Sequence, residues 1–319
     1  MAVNRDKVDQ WKKDVALSVD FYNEWFMRFA PQAFRETRIE TTRDVEQAIE
    51  LTENLTNISP ETLRDNPSVL SMLRMATCPP IARDRLVGLA GVSPNLVRSM
   101  EISKRIPPMM KTSELFSQLE RIGEIIEKMA DPDIFIWKSR GDKGSEIEVH
   151  RASTIVADRL CGAVADPIIR NAQEQRQLST IKNWLEQRGY RELGHREVRD
   201  FESMPNGTFS FRFNVPVRLL SGLSVNIPVD IVIKRLEAEE GEFPLLFEAK
   251  SAGDFTNTNK RRKEEAIKMQ QLRHTYGDRI TFDLFLCGYF DSGYLGYEAA
   301  EGIDWVWEHR VDDLELFGI

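Results

Sequence analysis

The chain has three cysteines and four histidines in 319 residues, and no apolar run long enough to cross a bilayer. Cys78, Cys161 and Cys287 lie far apart among apolar neighbours with no CxxC spacing, so neither a disulfide framework nor a zinc site is suggested. A membrane helix needs roughly eighteen consecutive apolar residues. The opening stretch, "MAVNRDKVDQWKKDVALSV", is charged almost from its start instead of carrying an apolar signal region, so a cytoplasmic protein with no membrane partner is expected. Four histidines and no G-x-S-x-G leave little from which to build a serine or cysteine hydrolase. A basic surplus is missing too. The net charge of −8 argues against a protein that coats nucleic acid indiscriminately, though it leaves room for a local basic cleft. What is present is core material: 41% hydrophobic and 9% aromatic residues suffice for one large domain or two ordinary ones.

The N-terminal part reads as helices. "VDQWKKDVALSVDFYNEWFMRFA" carries apolar residues three and four apart, and Pro31 stands where it would end such a helix. "TTRDVEQAIELTENL" repeats the pattern more briefly. In "CPPIARDRLVGLAGVSPNLVRSMEI", two short helical patterns flank "GLAGVSP", with Ser93 and Pro94 as an N-cap and first-turn pair. That spacing resembles a helix-turn-helix, and plain helix packing explains it as well. After a further helix near 113–129, the polar loop "KSRGDKGSE" marks a boundary, giving a helical domain over 1–145 with a role in DNA recognition or dimerisation. The remainder, 146–319, changes character: a helix over 167–188, then "GTFSFRFNVPVRLL", "LSVNIPVDIVIKRL", "FPLLFEAK", a basic helix, and "RITFDLFLCGYF". Helix, three strands, helix and strand predict a mixed α+β fold, a mixed central sheet flanked by helices.

Charge gathers at one place. From Lys250 to Arg279 there are eight Lys and Arg against four acids, inside an acidic chain. Just before this segment, "LLFEAK" runs a buried-looking strand into Glu248 and Lys250, which alternation aims at one face. One strand back, Asp230 is the single carboxylate of "NIPVDIVIKRL". A hairpin centred near Glu239 would set Asp230 across from Glu248, with Cβ atoms roughly 4.5–5.5 Å apart. Two such carboxylates repel unless a cation lies between them. Hard oxygens on neighbouring strands suit Mg²⁺, which takes one or two protein carboxylates and keeps waters for substrate phosphate. Lys250 would orient the attacking water or stabilise charge developing on the phosphate. A structural Asp/Glu/Lys network at a strand end remains the alternative. Glu174 continues the Leu178, Ile181 and Leu185 stripe of its helix and is the candidate third carboxylate. Asn259, Lys260, Arg261, Arg262 and Lys263 open the basic helix, where the helix dipole disfavours cations and a DNA backbone would offset that cost.

With Asp230, Glu248, Ala249 and Lys250 in place, the chain resembles the PD-(D/E)xK nuclease superfamily, with one extra residue between Pro228 and the aspartate. More narrowly, "CPPIARDRLVGLAGVSPNLV", "PVDIVIKR" and "FEAKSAGDFTNTNKRRKEEA" are similar to the XamI-type family of type II restriction endonucleases. The resemblance implies Mg²⁺-dependent, sequence-specific hydrolysis of double-stranded DNA by a homodimer, within a restriction-modification system whose cognate DNA methyltransferase protects the host site. It makes Asp230, Glu248 and Ala249 the metal ligands, Lys250 the catalytic lysine, and would let Glu174 complete the site. The competing readings are a structure- or damage-directed nuclease on the same core, and a non-catalytic DNA-binding regulator.

Overall fold

The computed structural model describes residues 2–194, 197–198, 200–219, 221–256 and 258–319, with the side chains of 258–262 left aside. Two compact units emerge: Ala30–Ile169, and Met1–Phe29 together with Arg170–Ile319. This division differs from the boundary expected near residue 145. The polar loop there does separate two helices, but the helix that follows it belongs to the first unit up to Ile169, and the N-terminal 29 residues count with the sheet.

The helical elements are α1 (Val8–Leu51), α2 (Pro60–Asp65), α3 (Val69–Met75), α4 (Arg83–Ala90), α5 (Pro94–Ile102), α6 (Thr112–Met129), α7 (Ile136–Arg140) and α8 (Glu146–Gln187). Pro31 lies inside α1 and Pro167 inside α8, whereas the sequence suggested an end at one and a start at the other. A proline within a helix removes one hydrogen bond and crowds the preceding turn. Here burial of the continuing face at Ala30, Ala33 and Thr37, and of Ala165 beside Pro167, outweighs that cost. In the helical unit, α6 buries Leu115, Leu119, Ile122 and Ile126 at helical spacing. Gly123 lets its backbone come against the Ile58 carbonyl, which a Cβ would meet at 2.7 Å. α4 and α5 are joined by a short turn in which Gly91 adopts a left-handed φ of 59°. Ser93 has the extended backbone of an N-cap, yet its side chain makes no capping bond; its amide instead donates to Gln118 Oε1 at 2.8 Å.

The second unit is built on a six-stranded sheet of order β1 to β6: β1 (Arg191–Glu192), β2 (Thr208–Arg218), β3 (Ser224–Lys234), β4 (Leu245–Ala252), β5 (Phe282–Gly288) and β6 (Trp305–Trp307). β2, β3 and β4 are antiparallel, while β1 pairs parallel to β2, and β4, β5 and β6 run parallel. α9 (Thr258–Tyr276) and α10 (Ser292–Ala300) complete it. The mixed α+β architecture expected from the sequence is the one observed. Alternation sorts the core into two layers. Phe209, Ile231, Ile233, Leu245, Phe247 and Phe285 pack with Leu178, Ile181 and Leu185 of α8. Val232, Leu246, Leu284 and Leu286 pack with Met269 and Leu272 of α9 and with Tyr294 and Leu295 of α10.

The alternation breaks once, in β2 and β3 together. Phe209 and Ile233 belong to the α8 layer, but further along the hairpin the odd-numbered Phe213, Val215, Val229 and Ile227 belong to the α9 layer. The ladder pairs Phe211 with Ile231 and Phe213 with Val229, skipping the pair that would set Arg212 against Asp230. Arg212 has a left-handed φ of 52°. The hairpin therefore turns over at Arg212 and Asp230. β3 also leaves β4 there, since their ladder stops at Ile231 and Phe247. Pro228, which has no amide to donate, is tolerated because it stands beyond that point.

Among the described residues, no helix is long and apolar enough to cross a membrane.

Candidate active site

The parting of β3 from β4 creates the site. The register that pairs Ile231 with Phe247 places Asp230 opposite Glu248, as the hairpin argument expected. Instead of a ladder bond, the Ala249 amide donates to Asp230 Oδ2 at 2.9 Å, so the side chain replaces the strand that has turned away. Asp230, Glu248, Ala249 and Lys250 line a cavity of about 360 Å³, with Glu174, Gln173 and Gln177 of α8 on its other wall.

Glu248 is 6% exposed. Its Oε1 accepts from Lys250 Nζ at 3.0 Å and from Lys268 Nζ at 2.7 Å. Its Oε2 is buried with no hydrogen-bond partner. Lys250 Nζ also stands 3.3 Å from Glu265 Oε1, and Lys268 Nζ donates to the Pro228 carbonyl at 2.9 Å. Gln177 Nε2 donates to the main-chain carbonyls of Lys250 and Phe285, both at 3.2 Å, and so ties the end of β4 to its neighbour.

The electrostatics follow from burial. Asp230 is pushed up to about 6, first by burial and then by the charge of Glu248, against the pull of the Ala249 amide and the two lysines. Burial works against the Lys250 ammonium, but Glu248 and Glu265 outweigh it and hold Lys250 above the ordinary lysine range. Glu265 is raised by burial, which Lys250 offsets only in part. A carboxyl pressed toward neutrality beside a cation held firmly charged is a site short of positive charge.

Glu174 sits on the rim, its side chain 41% exposed, and Arg212 Nη2 donates to its Oε1 at 2.7 Å. The inward end of the α8 stripe is taken by Gln173 and Gln177, which are buried. Lys263 is exposed in the second turn of α9. The side chains of Asn259, Lys260, Arg261 and Arg262 lie outside the described residues. Glu265 and Lys268 were missed in the sequence. The signal existed: Glu265, Met269, Leu272 and Tyr276 are spaced as one stripe, as are Lys268 and Leu272, and this is the rule that drew attention to Glu174.

The structure thus brings Asp230 and the Glu248-Ala249-Lys250 stretch, on which the resemblance to the PD-(D/E)xK nucleases rests, to one place where two central strands separate. The family model for XamI restriction endonuclease matches residues 53–307, and the chain belongs to that family. Type II restriction enzyme SalI from Streptomyces albus G is 53% identical over 316 residues, 99% of each chain. The crystal structure of protein VC1899 from Vibrio cholerae aligns with 90% of this chain and 56% of that one at 12% identity and a TM-score of 0.25, too slight a likeness to inform the fold. The protein is a type II restriction endonuclease, a hydrolase that cuts DNA at specific sequences.

Enzymes of this class generally use a divalent metal. Among the described residues, no three His, Cys, Asp or Glu side chains group to enclose one. The residues present fit an open site: two hard carboxylates and the Ala249 carbonyl, with the orphaned Glu248 Oε2 as the atom lacking a partner.

Proposed function

We propose that Asp230, Glu248 and the main-chain carbonyl of Ala249 hold Mg²⁺ at the phosphate to be cut, with Lys250 as the catalytic lysine and Glu174 as a third carboxylate. The observation that carries this is Glu248 Oε2, an oxygen buried without a partner in the cavity that Asp230 also lines. When bound, the metal supplies Lewis-acid polarisation of the phosphoryl oxygens and lowers the pKa of water. Lys250 does the rest from a fixed position. Clamped between Glu248 and Glu265, its ammonium orients the attacking water and stabilises the charge that gathers on phosphate as water oxygen bonds to phosphorus and the ester P–O bond breaks. Lys268 donates to the same oxygen of Glu248, Oε1, so that both lysines leave Oε2 for the metal.

Asn259, Lys260, Arg261, Arg262 and Lys263 lie along the DNA backbone. The helical unit provides recognition or subunit pairing, the enzyme works as a homodimer on double-stranded DNA in the cytoplasm, and a cognate methyltransferase protects the host site. Purified protein with plasmid DNA should give discrete fragments in Mg²⁺ and none in EDTA. Lys250→Ala should lower the cleavage rate by at least about 10²-fold with binding retained. A folded Lys250→Ala variant that cuts at the parental rate would remove the lysine from the mechanism.

A further inference from the structure

Arg212 is an arginine in a conformation that arginine disfavours. Its φ of 52° stands in the middle of β2, in line with Asp230, where the hairpin turns over. A left-handed non-glycine residue costs folding energy, and such residues cluster at functional sites. Stability does not explain its side chain either. Arg212 and Glu174 form their 2.7 Å ion pair at 54% and 41% side-chain exposure, and pairs that exposed contribute little to the folded state. A glycine would make the same backbone turn without strain. What this position has and a glycine lacks is a guanidinium at the rim of the cavity, joined to a carboxylate that lines it.

We propose that Arg212 binds a DNA phosphate beside the bond to be cut, exchanging Glu174 for that phosphate. The exchange frees the Glu174 carboxylate to face the cavity only when DNA is present. This rests on the reading of Asp230, Glu248 and Lys250 as the cleavage site. The chemistry is favourable because a guanidinium meets a phosphate with two parallel hydrogen bonds. The backbone turn at Arg212, directly across from Asp230, sets the guanidinium within reach of a phosphate held there. Without DNA, the ion pair with Arg212 offsets the charge of Glu174, the further carboxylate in the cavity that Asp230 and Glu248 line.

The test is a double-mutant cycle with Glu174→Gln and Arg212→Gly, using the duplex that the parent enzyme itself cuts, defined from its plasmid fragment ends. Dissociation constants are measured in EDTA and cleavage rates in Mg²⁺. Arg212→Gly should unfold at the parental temperature or above, because strain is relieved, while binding weakens roughly 10- to 100-fold and cleavage slows. Glu174→Gln should tighten DNA binding several-fold in the parent and not at all in the Arg212→Gly background. Arg212→Asn, which also tolerates the left-handed region, repeats the measurement should the glycine variant not fold. Parental binding and cleavage in Arg212→Gly would show that the residue only shapes the backbone. Equal tightening by Glu174→Gln in both backgrounds would show that Glu174 merely repels phosphate. Either result overturns the exchange. A parent enzyme that cuts no duplex in Mg²⁺ defeats instead the reading beneath it.

Discussion

Glu298 on α10 is fully buried, and burial, followed by the charge of Glu265, pushes its carboxyl up to about 8. The Tyr294 hydroxyl and the more distant Lys250 lower it, and Glu301 raises it further. Folding therefore favours the protonated acid. That advantage is complete below the ordinary glutamate value of roughly 4.5 and is lost as pH rises through about 8. Glu298→Gln keeps the neutral form at every pH. It should narrow the fall in melting temperature between pH 6 and pH 9, gaining on the order of a few kcal/mol at the alkaline end. A parallel fall in parent and variant, measured by thermal denaturation across that range, would show that Glu298 is not the group responsible. At this scale the sequence was informative where geometry is local. Strand alternation and one short hairpin place Asp230, Glu248 and Lys250 together. It was less informative where two helices compete for one cavity. Glu174 and Glu265 both extend apolar stripes, and only packing shows that Glu265 lies against Lys250 while Glu174 meets Arg212 at the rim.

Elements were legible in proportion to their length and periodicity. The four long strands and the basic helix follow from alternation and from the 3.6-residue period, whereas β1 and β6, of two and three residues, have too few positions to show a pattern. The prolines misled for a physical reason. Pro31 and Pro167 penalise a helix locally, but the helices are 44 and 42 residues long, and the buried faces on both sides carry the structure through. The turning over of the hairpin at Arg212 left no trace, because nothing in "FSFRFNVPV" marks an arginine for left-handed backbone. A prediction belongs to α6. Gly123→Ala would drive a methyl against the Ile58 carbonyl, so it should destabilise the helical unit by about 1–3 kcal/mol. Amide hydrogen exchange should quicken over 60–129 and stay unchanged in β2 to β5. Uniform exchange in both regions would show that the contact yields.

For the whole molecule the question is how a chain of net charge −8 engages a polyanion. The answer suggested by charge placement is segregation: the basic first turn of α9 follows directly on the strand that carries Glu248 and Lys250. Each phosphate contact releases counterions and adds about 0.9 to the slope of log affinity against log salt. Lys260→Ala and Arg262→Ala should each flatten that slope by roughly 0.9, weakening binding on all duplexes alike and leaving the fragment pattern intact. An altered pattern with an unaltered slope would assign these side chains to base reading instead.

The bond from the Ala249 amide to Asp230 has a bearing on descent. On the proposed reading, one side chain is both the acid of the site and the end-piece that satisfies β4 where β3 departs. A lineage that gave up cutting DNA but kept the protein would be free to lose the acid and would still need an oxygen at that place. Inactive descendants should therefore carry asparagine, serine or threonine at position 230 more readily than alanine. Asp230→Asn, which retains the acceptor, is for the same reason the variant that separates loss of chemistry from loss of the strand.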